Sequence, residues 1–271
     1  MSTSPYAISI VDPVSITDAM LTNTNVPEND YAAWNSGSTY AAGDRVILTS
    51  THRIYESLQA ANTNKNPVTE SLWWIEVSPT NRWKLFDFSN NVQTKYPNNS
   101  PPNITYELTL GQVVGVIGIL NLTGASLVSV VVDDPIYGIV YDEEYDISQV
   151  PLQVSWWHWF FGIRNAASNQ VIINNIPAYP NASITISITG NTSLAVGEII
   201  LGQANNFSLG MKYGARIGIQ DYSRKETNDF GDTVFVQRAF AKRATYEVFL
   251  DNSEVDQLQS YLSSIRAKPI L

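Results

Sequence analysis

Two histidines, 25 carboxylates and no cysteine bound the chemistry open to this 271-residue chain. The histidines, His52 and His158, stand far apart and form no HxxxH metal-ligand spacing. Without cysteine there is no thiolate zinc site, disulfide or cysteine nucleophile. No GxSxG elbow, P-loop or GxGxxG turn occurs. A Ser-His-Asp set stays open, because its members lie far apart in a chain. A glycosidase needs two carboxylates held across a cleft, which any acid-rich β protein offers by chance. The acidic run Asp142-Glu143-Glu144-Tyr145-Asp146 is either a solvated loop or a set of oxygen ligands for calcium, and it lacks the spacing of a known calcium loop. The expectation is a chain with no catalytic residues, no cofactor and no catalytic metal.

The aromatic residues are more informative. Between Tyr31 and Val77, Trp34, Gly37 and Tyr40 lead into Gly43-Asp44, then Val46-Ile47-Leu48, Ile54-Tyr55, Pro67 and Trp73-Trp74. Glycine next to Asp between apolar runs favours a hairpin, because glycine takes positive φ without steric cost. The pattern predicts a small three-stranded unit with an aromatic core. Trp34, Tyr40, Tyr55, Trp73 and Trp74 either fill that core or stack on sugar rings. In order and type this stretch resembles the small carbohydrate-binding modules of bacterial chitinases and cellulases. Where those modules carry an aromatic pair after the last strand's tyrosine, Glu56-Ser57-Leu58-Gln59 stands here.

The next phrase, Thr80-Asn81-Arg82-Trp83-Lys84-Leu85-Phe86-Asp87, extends the likeness. A module of this kind followed by TNRW-x-x-FD is similar to tail-associated structural proteins of tailed bacteriophages. More loosely, so are Asp221–Gly231, Val236–Arg243 and Ala267-Lys268-Pro269. The resemblance implies a non-enzymatic component of a phage tail or tail tip, made in the bacterial host cytoplasm and resident in the virion. It implies as partners further copies of the chain, other tail proteins and host surface polysaccharide. The alternatives are a carbohydrate-binding attachment protein and a surface-polysaccharide depolymerase.

Composition frames the elements that must position these residues. Hydrophobic residues make up 44% of the chain and charged residues only 15%. This suits an all-β protein with polar, uncharged faces, or a surface covered by neighbours in an assembly. A net charge of -9 argues against nucleic acid, which requires a basic stripe. The first residues lack the basic start and apolar centre of a signal peptide. Val113–Val132 is long enough for a membrane span, but its glycines and valines predict two buried strands around a turn at Asn121–Gly124, so no membrane insertion is expected.

Turn signals at short intervals predict a β-sandwich, of jelly-roll type, over residues 81–250. Before it come an arm at 1–26 and the small module at 27–80; after it comes a helix and tip at 251–271. Ile184, Ile186 and Ile188 alternate with hydroxyl residues, the mark of a half-buried strand. Ser253 with Asp256 reads as a helix start, and Val255, Leu258, Leu262 and Ile265 as its apolar stripe. Candidate subunit contacts are Trp157 and Trp159 on an aromatic strand, Arg224 and Lys225 in a polar loop, Leu258 and Leu262 on the helix, and Ile270 and Leu271 at the tip. The arm and the tip are expected to carry much of the assembly contact. His52 is expected to be exposed, in a turn.

Overall fold

The computed structural model describes residues 8–88, 92–148, 168–207, 210–214, 216–227, 231–238 and 240–266. Among the described residues the fold is all-β with one α-helix near the C-terminus. In chain order the strands are β1 (Ile8–Pro13), β2 (Leu21–Thr24), β3 (Thr39–Tyr40), β4 (Arg45–Leu48), β5 (Arg53–Ser57), β6 (Asn62–Thr63) and β7 (Trp74–Pro79). There follow β8 (Thr94–Lys95), β9 (Asn103–Thr109), β10 (Val116–Asp134), β11 (Gly138–Asp146), β12 (Val171–Ile173) and β13 (Ser183–Phe207). The rest are β14 (Gly210–Met211), β15 (Arg216–Asp221), β16 (Arg224–Thr227), β17 (Thr233–Val236), β18 (Phe240–Thr245) and β19 (Val248–Phe249), then helix α1 (Asn252–Ser264). The chain forms two compact units: residues 11–204, and residues 205–266 together with the start of β1.

The first unit is organised by β10 and β13, which pair antiparallel from Val116↔Gly202 to Asp133↔Ser183. Strand order is β11-β10-β13-β9-β2, with β12 on β10 and with β1 and β8 on β13. The sequence predicts a turn at Asn121–Gly124, but β10 runs straight through it as one strand of 19 residues. The positive φ of Asn121 (54°) and Gly124 (64°), which makes these residues resemble a turn, is used instead for kinks within the strand. Ile117 and Ile119 face the core before Asn121; Leu122, Val128, Val130 and Val132 face it afterwards. β13 changes parity at the same level, from Ile184, Ile186, Ile188 and Val196 to Ile199 and Leu201. Gly197 lies at that crossing, where a Cβ would come 2.6 Å from the Asn121 Cβ. Both halves of the bent ribbon thereby send side chains into one core, shared with Ile104, Tyr106 and Leu108 of β9.

Residues 27–80 contain a three-stranded antiparallel sheet, β4-β5-β7, and a small β3-β6 pair. The described part of the N-terminal arm is built into the large sheet: β1 pairs with β13, and β2 with β9. Ordering those residues is thus offset by ladder hydrogen bonds within the same chain.

The second unit is thinner. Ile10, Phe207 and Ile265 are its buried cluster, joined by Leu250, Leu258 and Tyr261. The apolar stretch Val234–Phe249 carries three short strands, β17, β18 and β19. The helix starts two residues earlier than its sequence signal: Asp251, not Ser253, is the N-cap. Its packed face runs through Leu258, Tyr261 and Ile265, while Val255 and Leu262 are exposed. The amphipathic stripe is therefore rotated, because Tyr261 packs its ring 5.5 Å from that of Phe207. Among the described residues no helix is long and apolar enough to cross a membrane.

Candidate functional site

The five aromatics of the small sheet are placed first by their packing. Trp74 is 2% exposed, and it forms a buried cluster with Val46 and Tyr55. Trp34, Tyr40 and Trp73 are half-buried against that cluster. Tyr40 meets Trp74 edge-on at 5.2 Å, and the Trp74 indole N–H donates to the Lys65 carbonyl at 2.8 Å. The Lys65 ammonium sits over the Trp73 ring at 5.4 Å. A unit this small without disulfides spends its aromatics on its own core. The structure brings these residues together around that core, with Tyr55 and Trp74 buried in it and Trp34, Tyr40 and Trp73 half-buried at its margin.

The Thr80–Asp87 phrase joins the small sheet to the large one. The Thr80 hydroxyl donates to Glu28 Oε1 at 2.9 Å. Arg82 donates to the Val26 carbonyl at 2.8 Å, and its guanidinium lies 3.9 Å from Glu28. Trp83 stacks on His52 at 4.1 Å and meets Phe86 edge-on; Phe86 in turn meets Tyr106. The expected exposed turn position of His52 is corrected here: its ring is largely covered, with Nδ1 3.1 Å from Glu28 and Nε2 3.2 Å from Asp18. A carboxylate only accepts, so His52 Nδ1 carries the hydrogen toward Glu28. Glu28 itself is 7% exposed and is the hub of this network.

The acidic run lies on a strand, not in a loop. β11 pairs with β10 from Leu127↔Asp146 to Asp134↔Gly138, at one edge of the sheet. Strand alternation sends Asp142, Glu144 and Asp146 to one face and Glu143 to the other. Among the described residues no three His, Asp or Glu side chains are grouped to hold a metal ion.

In the second unit the polar segment near Asp221 is also mostly strand. Arg224 and Lys225 belong to β16, which pairs with β17 through Arg224↔Val236 and Lys225↔Phe235. The Arg224 guanidinium meets Glu226 at 3.1 Å, and the Lys225 ammonium lies 5.9 Å from the centre of the Phe235 ring. β15 and β18 form a second two-stranded ribbon. Every residue of β15 and β17 is exposed. Ile217 is 83% exposed, Ile219 69% and Phe235 76%, with Val234, Tyr213 and Phe249 also open. Sequence reading missed these residues as a surface. The available signal was the run Thr-Val-Phe-Val in β17, apolar without a second core-forming segment beside it. Leu262 shares this openness, whereas Leu258 is half-buried. Trp157, Trp159, Ile270 and Leu271 lie outside the described residues.

Two-stranded ribbons with open apolar side chains are marginal in water, and exposed apolar surface marks a contact site. This surface can dock a protein. No protein-family model, curated protein or solved structure matches the chain.

Proposed function

We propose that this chain is a non-enzymatic structural component of a bacteriophage tail or tail tip, and that it works as a homo-oligomer. The single observation that carries the reading is the pair of ribbons β15-β18 and β16-β17, which expose Ile217, Ile219 and Phe235. Burying such side chains against a neighbour is worth about 1.5–3 kcal/mol each. The ordered resemblance from Trp34 to Asp87 supplies the kind of assembly. The one core shared by both halves of the bent sheet supports a β-sandwich of jelly-roll type with a carbohydrate-binding-module-like insertion. On this reading the chain is made in the host cytoplasm, resides in the virion, and touches other tail proteins. Contact with host glycans then falls to surfaces other than the buried Tyr55 and Trp74.

Two measurements test the reading together. Light scattering of the purified chain is expected to give a closed oligomer, since symmetric closure is the common outcome. Mass spectrometry of purified particles is expected to find the chain. A monomer at every concentration, with no trace in particles, overturns it.

A further inference from the structure

We propose that a cavity beside the Thr80–Asp87 phrase binds an acidic saccharide. It is a half-open recess of about 590 Å3, within the range of small-molecule sites, and lies wholly in the first unit. Its wall combines Lys84 and Lys95 with Asp30, Asn29, Asn98 and Tyr96. That set matches one ligand chemistry. Planar amides and a carboxylate pair with vicinal hydroxyls, and two ammonium groups answer a carboxylate.

The wall is fixed from behind by Asn81. Its backbone N–H donates to both oxygens of Asp30, at 3.2 and 3.0 Å. Its side-chain amide donates to the Lys95 carbonyl at 2.8 Å and accepts the Lys95 N–H at 2.9 Å. Lys95 is also in the β8-β13 ladder, opposite Ala195. Lys84 sits on the short 3-10 turn Lys84–Phe86, anchored by its N–H to the Thr80 carbonyl at 3.1 Å. Among the described residues neither ammonium is in an ion pair, so both charges are available to a ligand. Two lysines against one aspartate make this a basic recess on a chain of net charge -9, which otherwise repels an anion.

This names a ligand class for the glycan-contact part of the proposed function, and rests on that reading only for the ligand's biological source. The test is calorimetric titration of the full chain with a galacturonic acid oligomer, a glucose oligomer of equal length, and inorganic phosphate. The acidic oligomer is expected to bind, more weakly as salt rises. Lys84→Gln and Lys95→Gln are each expected to weaken it by ~10-fold, with circular dichroism and melting temperature unchanged. No binding of the acidic oligomer, equal binding of the neutral one, or phosphate binding as tight as the saccharide each overturns the proposal. So does wild-type affinity in the two lysine variants. Sedimentation of the same samples reads assembly separately, so failure of this site and failure of the structural role are told apart.

Discussion

Glu28 is the residue on which the junction between the two sheets turns. It accepts from Thr80 and His52, and it lies at the edge of the His52–Trp83 stack. Glu28→Ala strands those donors in a covered site, where each unmet group costs about 1–3 kcal/mol. A melting temperature lowered by several degrees is expected, measured by calorimetry, with the strand signal of the folded state retained. Glu198 presents the opposite case. It is buried on β13, and no hydrogen bond to its carboxylate is found among the described residues. Burial first, then the charge of Asp87, holds its carboxyl above the usual carboxylate range. The folded state therefore keeps this proton more tightly than the unfolded chain does. Its stabilising contribution is complete below the unfolded pKa and declines as pH rises through the folded pKa. Glu198→Gln should match wild type in melting temperature near pH 4 and exceed it near pH 8. A pH series of melting curves checks this, and parallel curves would remove Glu198 as the source.

At the scale of elements, the bend in β10 and β13 decides the architecture of the first unit. Gly197 must be glycine where the strands cross, since an added Cβ lies 2.6 Å from the Asn121 Cβ. Gly197→Ala is expected to cost about 1–3 kcal/mol by overpacking. Gly115→Ala, whose Cβ would meet nothing within 4 Å, serves as the neutral control in the same denaturation series. This bend also shows where sequence stops being readable. Ile184, Ile186 and Ile188 announced a half-buried strand, and their core-facing places follow from period two. Asn121–Gly124 announced positive φ, which the structure has, but the same backbone state serves a hairpin turn and a strand kink. Only pairing with a distant strand separates the two. The helix shows the same limit: four apolar residues fixed its existence, while Phe207, 54 positions away from Tyr261 in the chain, fixed which face packs. The aromatic residues of the small sheet were identified from sequence, and their burial required the fold. The recess around Lys84 and Lys95 could not be read from sequence, because Asn81 brings Asp30 and Lys95 together from three separate segments.

At the scale of the whole chain, burial is uneven. Among the described residues, those of 11–204 share an extensive core, whereas the second unit buries few apolar side chains and leaves its ribbons open. A chain with 15% charged residues and such ribbons is expected to complete its packing against further copies of itself. The direct measurement is sedimentation velocity of wild type beside the triple variant Ile217→Thr/Ile219→Thr/Phe235→Thr. Threonine keeps strand propensity while removing apolar surface. Wild type should sediment as a closed oligomer, and the variant as a monomer with an unchanged circular dichroism spectrum. A wild-type monomer at all concentrations, or a variant oligomer of the same size, would contradict the assembly role of the ribbons.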